Sequence, residues 1–131
     1  MLKRSPSSNG DPDVILDVIF EEGLLFLSLE NIGLDSAYNI RVSFKQKLWG
    51  IRRNKKVPVT GLPLFKKTTF MPPGKSIRTF LDSSKSFFGH DESTSLNATV
   101  RFRNGNGKKF LNHITHNLGI YRDIGFIQRS H

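Results

Sequence analysis

The chain has 131 residues, enough for one domain with a sizeable core and too few for two. It carries a net charge of +9 and no cysteine, which excludes disulfides, thiolate metal sites and cysteine nucleophiles. A positive surplus of this kind favours contact with nucleic acid, anionic lipid or an acidic protein. The N-terminal "MLKRSPSSNGDPD" has two basic residues but no apolar stretch behind them, so it does not read as a signal peptide. Its Ser, Pro, Gly and Asp content predicts a flexible lead-in over residues 1–13, ahead of a domain spanning residues 14–131. Nowhere is there a run of about eighteen apolar residues, so no transmembrane segment is expected and the compartment stays open.

Val14 begins the first element: "VILDVIF" is β-branched and aromatic and predicts a strand. After the turn "EEG", the run "LLFLSLEN" alternates, with Leu25, Leu27 and Leu29 expected inward. "IGLDS" interrupts. "AYNIRVSFK" then alternates again, with Tyr38, Ile40, Val42 and Phe44 expected inward and Asn39, Arg41, Ser43 and Lys45 outward. A long connection follows, "FKQKLWGIRRNKKVP", holding six lysines and arginines and no acid. Pro58 and Pro63 mark the next stretch as edge strand or irregular chain, because proline cannot donate to a ladder. In "MPPG", Pro73 presets φ for a turn and Gly74 supplies the positive φ that follows. "KSIRTFLD" predicts another strand, and residues 82–95 a loop or one short helical turn, polar apart from Phe87 and Phe88. "LNATVRFR", with Ala98, Val100 and Phe102 inward, turns at "NGNG" and returns as "KKFLNHITHNL". The apolar tail residues Ile120, Tyr121, Ile124, Phe126 and Ile127 are expected to pack back on the barrel end or on an edge.

About seven strands with turn signals between them and almost no helix imply an all-β fold. The expected architecture is an antiparallel two-sheet sandwich of the immunoglobulin-like kind. The hallmark cysteine pair is absent and Trp49 follows the third strand instead of lying within it, so an antibody-type domain is not expected.

The phrase "LSLENIGLDSAYNIRVSF", the later "FMPPGK" turn and the "VRFRNGNGKKF" hairpin together resemble an uncharacterised prokaryotic family of immunoglobulin-like β-sandwich domains. In that pattern Gly33 permits a tight reversal, Ala37 a close crossing, and Tyr38 begins a core face. The resemblance implies the fold and carries no activity. Domains of that family often follow a membrane anchor, and no anchor is expected within these 131 residues.

Catalytic patterns are missing. There is no Ser-His-Asp ordering, P-loop or G-x-G-x-x-G, and "NGNGK" lies between strands instead of before a helix. Asp17, Glu21 and Glu22 at a strand end read as an acidic turn. His113 and His116 stand three apart on a strand, hence on opposite faces, and cannot share a metal. No enzyme, no cofactor and no metal are expected.

Charge is the remaining signal. Residues 1–35 hold seven acids against two bases, and residues 36–131 hold eighteen bases against four acids. If the third, sixth and seventh strands share a sheet, Arg41, Lys45, Arg101 and Arg103 stand on one solvent face. The connection carrying Lys47, Trp49, Arg52, Arg53, Lys55 and Lys56 is expected to extend from that same sheet, making one continuous basic surface. Two function classes follow. One is a non-enzymatic binding module for an acidic protein or an anionic membrane surface, with nucleic acid disfavoured because the outward faces offer few rings for bases. The other is a structural or accessory domain with no ligand of its own.

Overall fold

A computed structural model of the chain describes residues 10–89 and 94–122. In chain order the strands are β1 (Val14–Glu21), β2 (Leu24–Asn31), β3 (Ala37–Phe44), β4 (Trp49–Arg52), β5 (Lys55–Pro58), β6 (Thr68–Met71), β7 (Ser76–Ser83), β8 (Ser95–Arg103) and β9 (Lys109–Asn117). Two short helices, α1 (Pro63–Lys66) and α2 (Ser84–Gly89), and a 3-10 turn over Val59–Gly61 fill two of the connections. Seven strands build two antiparallel sheets, ordered β1–β2–β7 and β6–β3–β8–β9, and β4 with β5 forms a separate hairpin. The architecture is an all-β sandwich.

Period-two alternation explains the core. Val14, Leu16 and Val18 of β1 and Leu25, Leu27 and Leu29 of β2 point inward from one sheet. Ile40 and Val42 of β3 and Ala98, Val100 and Phe102 of β8 point inward from the other, and all are buried. Each such Val, Leu, Ile or Phe side chain contributes about 1.5–3 kcal/mol by leaving water. Phe65 from α1 and Phe87 from α2 are fully buried as well. Phe65 meets Phe44 edge-on at 5.1 Å between centroids, so α1 serves as a plug for that end of the core.

Three expectations require correction. Tyr38 does not begin a core face: it is 36% exposed, and Ala37 takes the inward place. The cause is one additional residue. Between Tyr38 and Arg41 the β3–β8 register shifts, and Asn39 sits at φ 53, so the alternation restarts with Ile40 inward. Next, the basic connection is not a plain loop, since residues 49–58 form the β4–β5 hairpin, closed by Arg53 and Asn54, both at positive φ. A two-residue turn of that hand matches strand twist. Finally, that hairpin does not extend the sheet from which it departs. Gly50 lies so close to β7 that a β-carbon there would stand 2.5 Å from the Leu81 carbonyl oxygen, and Leu48 is buried beside it.

Residues 10–13, placed in the flexible lead-in by composition, run beside the turn after β2. Ile32 donates to the Asp13 carbonyl at 2.8 Å, and Leu34 to that of Asp11 at 3.0 Å. Residues 1–9 and the tail residues Ile124, Phe126 and Ile127 lie outside the described residues.

Asn31 holds this corner. It is 1% exposed, and its side-chain amide is fully used. Oδ1 accepts from the backbone N–H of Asp13 at 3.1 Å and of Gly33 at 3.0 Å, while Nδ2 donates to the carbonyls of Asp35 and Met71, both at 2.9 Å. Its own carbonyl accepts from Gly74 at 2.9 Å, and Lys75 donates to Pro72 at 3.1 Å to close the expected Pro-Gly turn. Gly74 has φ +83, as the sequence requires of that position.

Along the opposite seam, side chains from β9 reach the outer edge of β1. Asn112 Nδ2 donates to the Val14 carbonyl at 2.8 Å, and His116 Nε2 lies 2.9 Å from the Leu16 carbonyl. A carbonyl can only accept, so His116 carries its proton on Nε2. Tyr121 stacks on Phe20 at 5.7 Å, with its hydroxyl 3.5 Å from the Val18 carbonyl.

Candidate anion-binding face

The four strands β6, β3, β8 and β9 contain no aspartate or glutamate. Their outward side chains form rows across the sheet, set by register. Tyr38 lies opposite Arg103, which lies opposite Lys109; Arg41 lies opposite Arg101, which lies opposite Leu111. A third row is Ser43, Thr99 and His113, and Asn97 with Thr115 follows it. Lys45, exposed, continues β3 beyond that row, its N–H donating to the Asn97 carbonyl at 2.9 Å.

Arg41 and Arg101 are thus direct cross-strand neighbours of like charge, an arrangement that destabilises a ladder by itself. Arg41 Nη1 donates to the carbonyls of Ile40 at 2.8 Å and Thr68 at 3.3 Å, and Arg101 Nη1 reaches Ser43 Oγ at 3.4 Å. Among the described residues no carboxylate pairs with Arg41, Arg101, Arg103 or Lys109. The ion pair found between Arg78 and Glu21, at 3.0 Å, belongs to the other sheet. A depression of about 680 Å³ is lined by Asn39, Arg41, Arg101, Arg103, Lys109 and Leu111. A second, of about 350 Å³, follows along the same strands beside Ser43, Lys45, Asn97, Thr99, His113 and Thr115.

The sequence-derived candidates therefore fall into two groups. Arg41, Lys45, Arg101 and Arg103 share the outer face of the β6–β3–β8–β9 sheet. Lys47, Trp49, Arg52, Arg53, Lys55 and Lys56 belong to the β4–β5 hairpin and its approach, which leans on β7 of the opposite sheet. Arg52 Nη2 donates to Thr79 Oγ1 of β7 at 2.7 Å, fixing that lean. Trp49 is half-buried, with Lys47 Nζ 5.9 Å and Lys56 Nζ 5.8 Å from its ring centroid, so both ammonium groups lie within cation–π reach. This is a second basic patch.

The two histidines divide as their spacing dictates. His113 is exposed, with Nδ1 3.2 Å from Thr99 Oγ1, while His116 faces the seam. Among the described residues, no group of three or more His, Cys, Asp or Glu gathers as a metal would need.

The model of a domain-of-unknown-function family, DUF8453, matches residues 3–122. The chain belongs to DUF8453. Comparison with curated proteins and with solved structures gives no match.

On this DUF8453 domain the residues that sequence reasoning missed are aromatic. Tyr38 and Phe70 are cross-strand partners on the outward face, 36% and 49% exposed, with ring centroids 5.3 Å apart. Asn39 was the available signal. Asparagine is depleted in strands and is among the few residues that tolerate the left-handed region. An Asn inside an alternating run is a place where the phase can change.

Proposed function

We propose that the protein is a non-enzymatic binding module that takes up an anionic partner on the outer face of its four-stranded sheet. One observation carries the reading: Arg41 and Arg101 are register partners on a sheet whose four strands hold no acid. A purely structural or accessory domain would gain stability by placing a neutral or acidic residue at either position, and that role leaves the apposition unexplained. The hairpin patch around Trp49, basic with an apolar centre, supplies a second contact surface that an acidic protein or an anionic membrane surface could engage. The strand order supports kinship with immunoglobulin-like sandwiches, whose first, second, fifth and fourth strands share one sheet and whose third, sixth and seventh share the other. β1–β2–β7 and β3–β8–β9 match that order in every place but the fourth, and β6 pairs with β3 instead, in keeping with the prokaryotic domains whose motifs this sequence resembles.

A heparin column developed with a salt gradient tests the reading. The wild-type chain should be retained and should elute late. The variant Arg41→Glu, which turns the like-charge pair into an opposite-charge one, should elute earlier while melting at or above the wild-type temperature. Unchanged retention of that variant would remove the sheet face as the binding surface.

A further inference from the structure

We infer that the anion recognised by this sheet face is a single-stranded nucleic acid, an inference that rests on the anion-binding reading above. The rings come first. Tyr38 and Phe70 project from neighbouring strands onto the solvent face, and exposed rings on a sheet are platforms on which unpaired bases stack regardless of sequence. Gly105, in the turn between β8 and β9, stands beside the Tyr38 ring; even a β-carbon there would come only 3.7 Å from Cε1, so the turn approaches the ring without crowding it. The ground for disfavouring nucleic acid, an outward face with few rings, assumed Tyr38 inward. Its outward position removes that ground.

Order along the sheet comes second. Tyr38 pairs in register with Arg103, and Arg103 with Lys109, while Arg41 and Arg101 occupy the next row. A strand laid on the rings therefore meets cations for its phosphates immediately beside them. Beyond the cations, Ser43, Thr99 and His113 offer neutral donors and acceptors to base edges or sugar hydroxyls. The successive depressions, about 680 and 350 Å³, run the same way along β3, β8 and β9.

Geometry discriminates among the anions. A bilayer surface offers phosphates but no planar base to stack on Tyr38 and Phe70. An acidic peptide satisfies the arginines but has no use for paired exposed rings. A duplex keeps its bases stacked internally and leaves Tyr38 and Phe70 idle. A flexible single strand uses rings and cations together.

The experiment is fluorescence anisotropy of the full chain with fluorescein-labelled twelve-nucleotide oligo(dT) and oligo(U). A duplex of equal length and a labelled polyglutamate peptide serve as comparators, at 50 and 200 mM salt. Both single strands should bind more tightly than duplex or peptide, and a preference for oligo(U) would assign a role to the 2′-hydroxyl. With about four phosphates neutralised, affinity should fall about 50-fold between the two salt concentrations. The variant Tyr38→Ala, Phe70→Ala, which removes exposed side chains, should lose at least about fivefold in affinity for single strands. Polyglutamate or duplex binding as tight as oligo(dT), with the ring variant unchanged, would overturn the nucleic-acid assignment and leave the anion-binding reading standing. Binding to none of the polyanions at 50 mM salt would overturn both.

Discussion

Asn31 Nδ2 donates to the carbonyl of Met71 at 2.9 Å, bridging from the end of β2 in one sheet to the end of β6 in the other. With the bonds to Asp13, Gly33 and Asp35, this buried amide ties three chain segments at one corner. Replacing Asn31 by Ala leaves buried donors and acceptors without partners, and stability should fall by about 2–4 kcal/mol in urea denaturation. Asn31→Asp should be no better, because its second oxygen would face two carbonyls. A loss under about 0.5 kcal/mol, the low end for a single hydrogen bond, would mean the corner is held by other contacts.

Gly33 and Gly74 should respond differently to alanine. At Gly33 a β-carbon would collide with backbone, 2.5 Å from Asp13 N and 2.7 Å from the Pro12 carbonyl carbon, and also with the Asp11 carbonyl oxygen. At Gly74 the space is open and only the φ of +83 opposes a side chain. Gly74→Ala should therefore cost about 1 kcal/mol, from backbone strain alone. Gly33→Ala should cost more, since the chain from residue 11 to 13 must move. Thermal melts of the two variants side by side decide the order.

The turn of the β4–β5 hairpin carries two non-glycine residues at positive φ, Arg53 at 52 and Asn54 at 63. Glycine at the second position is the preferred choice for such a turn. Asn54→Gly should raise stability by a few tenths to about 1 kcal/mol while leaving every charge in place. A lower melting temperature would contradict the turn geometry.

Arg41 opposite Arg101 predicts a trade of stability against binding. Arg41→Glu converts a like-charge pair into an opposite-charge pair and should stabilise the fold by about 0.2–1 kcal/mol at low salt. The same variant should weaken retention on heparin. The stability gain should shrink in 1 M salt, where charges are screened within about 3 Å.

The sequence made strands visible wherever alternation ran unbroken. "LLFLSLEN" and "LNATVRFR" place Leu25, Leu27, Leu29, Ala98, Val100 and Phe102 on core faces, and all six are buried. The two-sheet arrangement followed from strand number and turn spacing, and with it the placement of Arg41 and Arg101 on one sheet. Local breaks in phase were harder to read. Asn39 moves Tyr38 to the solvent side because one residue at positive φ resets a period of two, and composition does not register such a step. The β4–β5 hairpin escaped notice because Arg53-Asn54 is an unusual turn pair and Pro58 left edge strand and irregular chain equally open. Asn31 read as turn chemistry. Its value lies in partners up to 40 positions away, which only the folded chain brings together.

β1 is the outermost strand of its sheet, and a bare strand edge is a template for a second chain. Here an incoming extended segment would find the Val14 and Leu16 carbonyls already engaged by Asn112 and His116, with the Tyr121 hydroxyl over Val18. It would have to displace those side chains before forming its first ladder bond. Sheet growth by strand addition is therefore obstructed at this margin. Copies that approach instead through their basic faces repel one another, so rising ionic strength, which screens that repulsion, sets the condition under which face-to-face association can begin.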